Sequence, residues 1–205
     1  MEFTLEHEGS GRELWYSDEE FLTRDVRIMN IIGICGSPRK GNTEWMLQTL
    51  LDAADRGGAA TELILLRTAH VEMCRGCLAC ERRDEGGRGT CRIDDDMKDI
   101  LPKLLMADVL VLGTPGYMSL LSGLLKNFLD RTCPVWPAMK GKSIAGVAVA
   151  EEGIGAALRN LRTYGDLLGM HWLGGVTTLA RLPREASRQP DVRTRLERLG
   201  RKLSR

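Results

Sequence analysis

No stretch of this chain is apolar for long enough to cross a bilayer, and the opening residues Met1-Glu2-Phe3-Thr4-Leu5-Glu6-His7-Glu8 lack the apolar centre of a secretory signal. Charge of one sign is missing too. Lys and Arg number 29 against 28 Asp and Glu, so the net charge is +1 and no broad field gathers nucleic acid or a membrane surface. Histidine is scarce: His7, His70 and His171 stand apart, and none is given a role. No internal repeat is visible. Two nucleotide fingerprints are also absent. Gly36-x4-Gly41 has the spacing of the triphosphate loop, but Asn42 stands where the lysine that reaches the β- and γ-phosphates belongs. Gly33-Ile34-Cys35-Gly36-Ser37-Pro38 does not supply the G-x-G-x-x-G turn of a dinucleotide fold. These absences lead us to expect a cytoplasmic protein that binds neither nucleic acid nor membrane.

What is present fits one ordinary domain. Hydrophobic residues make up 43% of the 205 and charged residues 28%. Residues 1–27 form an acidic extension with eight Asp or Glu and three Arg. It carries Leu14, Trp15, Tyr16, Phe21 and Leu22, too apolar for a plain tail, and we expect it to fold against its own domain or a partner subunit. From 28 to 205 apolar runs alternate with helical patterns. Strands are expected at 28–35, 61–66, 108–113, 143–150 and 172–178. Helices are expected at about 43–56, from Asp94-Asp95-Asp96 to 106, at about 119–132, after the loop 151–155, and at about 190–204. Alternation of this kind gives a parallel sheet covered on both faces. Five strands suit the doubly wound, flavodoxin-like order 2-1-3-4-5, with a cysteine-bearing insertion (70–96) after the second strand. In that order a ligand sits at the switch point, where loops 36–43, 114–118 and 151–155 meet.

The first of these loops is the most informative. A β-branched apolar strand, Ile31 to Ile34, breaks into Gly36-Ser37-Pro38-Arg39-Lys40-Gly41-Asn42-Thr43 and then enters a helix. Loop N–H groups and the positive helix end point at one place, which makes an anion site. Ser37, Asn42 and Thr43 add side-chain donors and Arg39 adds charge. Without the lysine a triphosphate is poorly held, whereas a single phosphate monoester needs only these donors.

Six cysteines in a reducing compartment point to metal ligands, redox groups or core residues before structural disulfides. Cys74-x2-Cys77-x2-Cys80 places three thiols in seven residues, the pitch at which thiolates wrap an iron–sulfur cube. Cys91 is the candidate fourth ligand, after a spacer of ten residues. Zinc and a free or disulfide-forming thiol loop remain as alternatives. Cys35 and Cys133 read as small core residues. Lys126 and Arg131 read as a solvated helix face, as does the basic side of the last helix.

Three motifs together resemble one family. Gly36-Ser37-Pro38-Arg39-x-Gly41-Asn42-Thr43, the run from Thr114-Pro115-Gly116-Tyr117-Met118 to Asp130-Arg131, and the cysteines followed by Arg92-Ile93-Asp94-Asp95-Asp96-Met97 are similar to the NADPH-dependent FMN reductase / iron–sulfur flavoprotein family. The likeness covers about residues 28–180. It implies FMN held through its phosphate by Ser37, Arg39, Asn42 and Thr43 around Gly41. It implies an isoalloxazine ring lined by Pro115, Gly116, Tyr117 and Met118, and closed on its other edge by the loop Glu151, Gly153, Gly155. It also implies a [4Fe–4S] cluster on Cys74, Cys77, Cys80 and Cys91, NAD(P)H as a possible donor, a small-molecule or protein redox partner, and a homodimer or homotetramer. The flavin supplies the chemistry, so no catalytic side chain is nominated. Two readings stand beside this one: an NAD(P)H-dependent FMN or quinone reductase without a cluster, and a non-enzymatic flavodoxin-like carrier.

Overall fold

The computed structural model describes residues 27–84 and 87–205. The acidic extension lies outside the described residues except for Arg27, whose guanidinium pairs with the Asp108 carboxylate at the lower end of the sheet.

β1 (Asn30–Cys35) leads into α1 (Asn42–Asp55), and β2 (Ala60–Leu65) follows. The cysteine segment comes next. Its backbone forms a 3-10 turn at Ala79–Glu81 and a small antiparallel hairpin of β3 (Arg83–Asp84) and β4 (Gly87–Arg88), where only a loop is expected from the sequence. After it come α2 (Met97–Met106), β5 (Val109–Pro115) and α3 (Gly123–Arg131). A 3-10 stretch at Cys133–Met139 precedes β6 (Ser143–Ala150), α4 (Ile154–Leu167), β7 (His171–Leu179) and α5 (Pro190–Leu203).

The main sheet runs β2-β1-β5-β6-β7, all parallel, which is the expected 2-1-3-4-5 order. Alternate residues of β1 feed opposite cores, as the two-residue period of a strand requires. Ile31 and Cys35 pack toward α1 and α5, and Ile32 and Ile34 toward α2, α3 and α4. The burial of Cys35 agrees with its reading as a core residue, and burial pushes its thiol up. In α5, Val192, Leu196, Leu199 and Leu203 are buried, and Arg195 pairs with Asp191 on the open side.

Two helix starts differ from expectation for local reasons. α3 begins four residues late because Tyr117 and Leu120 bond to each other across a tight turn. Ser122 then caps the helix, its Oγ accepting the Leu125 N–H at 3.1 Å. At α2 the acidic triplet divides its work: Asp95 Oδ1 accepts the Met97 N–H at 3.1 Å at the helix start. Asp96 occupies the cap position, but its carboxylate accepts the His70 N–H at 2.7 Å instead.

Candidate functional site

The upper ends of the central strands gather four loops around a cavity of about 210 Å3. Ser37, Arg39, Lys40, Gly41, Asn42 and Thr43 form one wall. Pro115, Gly116 and Tyr117 form a second, and Val149 to Glu151 a third. Ala180, Arg181 and Pro183 complete it. Nine of the residues singled out from the sequence therefore meet here. Met118, Gly153 and Gly155 do not line the cavity.

The first wall is built for close approach. A Cβ at Gly36 would lie 2.5 Å from Leu125 Cβ, so only glycine lets α3 pack against the loop. The Gly36 N–H donates to Gly113 O at 2.8 Å, and Ser122 Oγ donates to Gly36 O. Ser122 thus caps α3 and anchors the loop at once, a role with no sequence signature beyond its place before a helix. Ser37 Oγ accepts the Arg39 N–H at 3.2 Å and donates to Arg39 O at 2.8 Å, turning the chain toward α1. Gly41 is the N-cap of α1 and offers no side chain to the first-turn N–H groups. A Cβ there would meet nothing within 4 Å. Thr43 is buried, and its hydroxyl has no hydrogen-bond partner among the described residues. Free N–H groups, a helix N-terminus and an unpaired hydroxyl make this wall an acceptor site for an anion.

Asn42 behaves differently from the other donors. Its Nδ2 donates to Leu182 O at 2.9 Å, and its Oδ1 accepts the Ala186 N–H at 3.2 Å. The amide thus ties the first wall to the loop after β7. Glu185 shapes the same loop, accepting the Arg181 and Leu182 N–H groups at 2.8 Å each, and those bonds hold its carboxyl below the usual range. Arg181 lies 3.2 Å from Glu151 across the cavity mouth. Sequence reasoning missed it, although its place just past the end of the fifth sheet strand was a usable signal.

The second wall ends in a strained turn. Tyr117 N–H donates to Leu120 O at 3.0 Å and Leu120 N–H to Tyr117 O at 2.9 Å. The two residues between, Met118 and Ser119, have φ of 51° and 62°, a left-handed pair that usually calls for Asn or Gly. Met118 is 94% exposed as a result. Gly153 has φ of 64°, and a Cβ there would lie 2.4 Å from Ser119 Oγ, so the third loop closes on the second only through glycine.

The cysteine segment is held at its stem against α3 and the start of α2. Asp95 Oδ2 accepts the Glu72 N–H at 2.8 Å, and Asn127 Nδ2 donates to Val71 O at 2.8 Å. Arg131 donates to Glu72 O at 2.7 Å and forms a bidentate pair with Asp95 at 2.6 and 2.9 Å. Its side chain is 1% exposed, which corrects the solvated-face reading. Lys126 keeps that reading: it is exposed and pairs along the helix with Asp130. Burial works against both charges of the inner pair. The pairing outweighs it, together with the Glu72 and Met97 N–H groups on Asp95, so Asp95 stays below the usual carboxylate range and Arg131 is raised.

Cys74 and Cys77 are exposed, and Cys80 and Cys91 are half-buried. Among the described residues no three Cys, His, Asp or Glu side chains converge closely enough to hold a metal. The donor set itself, four sulfurs in the C-x2-C-x2-C pattern plus Cys91, has the chemistry of an iron–sulfur ligand set. Cys133 is half-buried rather than in the core, and its thiol lies 3.7 Å from the Glu81 carboxylate.

A larger groove of about 890 Å3 lies elsewhere, between α3, the 3-10 stretch after it and α4. Its wall includes Leu129, Trp136, Tyr164 and Leu168. Thr132 Oγ1 donates to Leu129 O, so the 2.8 Å bond to Tyr164 is donated by the tyrosine, whose pKa burial pushes up to about 12. The groove is larger but offers few polar groups. The smaller cavity carries the convergent donors.

The family model for NADPH-dependent FMN reductase matches residues 29–181. The chain belongs to that family. It is 37% identical over 123 residues to an iron–sulfur flavoprotein of Methanocaldococcus jannaschii, covering 60% of this chain and 61% of that protein. An iron–sulfur flavoprotein of Methanosarcina thermophila is 32% identical over 147 residues, covering 70% and 74%. The alignments thus span just under two thirds of the first of these relatives and about three quarters of the second. Among solved structures, NAD(P)H:quinone oxidoreductase from Methanothermobacter marburgensis aligns with a TM-score of 0.67 at 16% identity, over 87% of this chain and 98% of that one. That likeness concerns the fold.

Proposed function

We propose that this chain is an FMN-dependent oxidoreductase of the iron–sulfur flavoprotein kind. The observation that carries the reading is the meeting of the unpaired first turn of α1 with the loops after β5, β6 and β7 in one cavity. The Thr43 hydroxyl, the Ser37 turn and the Asn42, Thr43 and Glu44 N–H groups would hold the FMN phosphate, with Arg39 adding charge at the rim. The enclosed volume, about 210 Å3, is below the usual range for a pocket that swallows a whole ligand, so this wall suits the phosphate end and leaves the rest of the cofactor against the open side. Gly116 and Tyr117 would meet the flat ring there, and Glu151 would face its polar edge. When bound, FMN supplies hydride and single-electron chemistry, and a [4Fe–4S] cluster carries electrons singly.

Cys74, Cys77, Cys80 and Cys91 would hold the cluster. Support comes from their spacing, from the pinned stem at Glu72 and from the names of the relatives. NAD(P)H as donor, a small-molecule or protein acceptor, a cytoplasmic site of action and assembly as a homodimer or homotetramer belong to the same reading. No helix among the described residues is long and apolar enough to cross a membrane. A second reading, a reductase without a cluster, is favoured by the lack of convergence among the described cysteines.

The full chain purified without oxygen is the test. Its absorption spectrum, FMN, iron and acid-labile sulfide per chain, and oxidation of NADPH or NADH should be measured together. Flavin bands, about four iron per chain and turnover support the first reading. Flavin and turnover without iron move the assignment to the second. No flavin at all overturns both.

A further inference from the structure

Arg131 touches the cysteine segment at both of its ends. Its Nη1 donates to the carbonyl of Glu72, two residues before Cys74. Its fork also grips Asp95, four residues after Cys91, and Asp95 in turn accepts the Glu72 N–H. Both polar groups of the Glu72 backbone are therefore held by one buried ion pair. The Cys91 thiol lies beside the guanidinium. One donor is left over: Arg131 Nε is buried and has no hydrogen-bond partner among the described residues. A buried donor without an acceptor is costly, and a sulfur ligand is an acceptor that would relieve it.

We propose that Arg131 is the positioning residue that holds Cys91 in place as the fourth sulfur of the set begun by Cys74, Cys77 and Cys80. The inference rests on the iron–sulfur reading above. Cys74, Cys77 and Cys80 fall within seven residues, so little chain has to close between them. Cys91 follows a ten-residue, glycine-rich spacer, and closing that loop costs entropy unless its ends are fixed. The clamp at Glu72 and Asp95 fixes them. The guanidinium also suits an anionic sulfur: its charge is permanent, its fork is rigid, and lysine reproduces only the charge. Cys133 is the rival for the fourth place, since it lies 3.7 Å from the Glu81 carboxylate, next in sequence to Cys80. It lacks the clamp.

The test uses the full chain with Arg131→Lys, Asp95→Asn, Cys91→Ser and Cys133→Ser, all purified without oxygen. Iron and sulfide per chain are measured, and FMN per chain reports the fold of the separate cavity. Cys91→Ser is expected to lose most of its iron and keep its FMN, and Cys133→Ser to keep both. Arg131→Lys is expected to lower iron at least about threefold, with FMN unchanged and the reduced cluster's spin-resonance signal shifted. Asp95→Asn gives a second way to loosen the clamp should the lysine variant fail to fold. Full iron with an unshifted signal in the two clamp variants overturns the proposal, as does a cluster that survives in Cys91→Ser and fails in Cys133→Ser. A wild-type chain that takes up no iron overturns the cluster reading alone. The hold on Cys91 is then read in the metal-free protein by iodoacetamide labelling. There Arg131→Lys is expected to change the labelling rate of Cys91 relative to Cys74 at least about threefold, and an unchanged ratio overturns it.

Discussion

Asp95 and Arg131 face each other in a dry bidentate contact, 2.6 and 2.9 Å long, with side chains 0% and 1% exposed, and that contact fastens the cysteine segment to α3. Pairs of this kind have an asymmetric energetic signature. Removing one partner strands a buried charge, whereas replacing both with apolar groups does not. Arg131→Met is therefore expected to destabilise the chain by about 3–5 kcal/mol, and Arg131→Met with Asp95→Leu by clearly less. Urea unfolding of the three proteins checks this. Equal losses in the single and double variants would mean that the pair stabilises by its net attraction.

The same pair sets an acid limit. The folded-state pKa of Asp95 is depressed, so its contribution is present above the ordinary carboxylate value of about 3.9 and is lost as pH falls through the folded value. Stability of the wild-type chain is expected to fall steeply below about pH 4. Asp95→Asn, less stable at neutral pH, should show a shallower acid slope, read by circular dichroism against urea at several pH values.

The glycines of the first loop separate packing from binding. Gly36→Ala puts a Cβ 2.5 Å from Leu125 Cβ, and the overpacking is expected to cost about 1–3 kcal/mol. Gly41→Ala meets no protein atom within 4 Å and has an extended backbone, so its unfolding midpoint should hardly move. Its FMN occupancy should nevertheless fall, because the added methyl enters the space assigned to the phosphate. Thermal melts and flavin content of the two variants decide the matter.

Asn42→Ala addresses the far wall. Two hydrogen bonds to the loop after β7 disappear, worth about 1–3 kcal/mol together. Amide hydrogen exchange is expected to quicken at Leu182 and Ala186 before it does in β1 or β5. Unchanged exchange there would show that Glu185 alone holds the loop.

The sheet order and the three site loops were legible because they rest on local signals. Ile31 to Ile34 read as a buried strand, Gly41 to Thr43 as a helix entry, and Pro115-Gly116 as a strand-end loop, each from its own few residues. What escaped depends on partners far along the chain. Arg131 looked like a surface charge because its partner Asp95 is 36 residues away, and only tertiary packing removes both from water. The tie from Asn42 to Leu182 escaped because it spans 140 residues. Cys133 looked like a core residue because nothing in its neighbours announces that the turn at Ala79–Glu81 packs beside it. What is expected of the extension, apart from Arg27, concerns residues outside those described.

Titration of FMN into the flavin-free full chain tests the FMN cradle most directly, with Thr43→Val alongside the wild type. Valine keeps the shape of the buried threonine and removes only its hydroxyl. One saturable site per chain is expected, with affinity about tenfold to a hundredfold weaker in the variant, the loss that goes with one hydrogen bond to a charged group. A wild-type chain that binds no FMN, or a Thr43→Val chain that binds it as tightly as the wild type, would contradict the cradle.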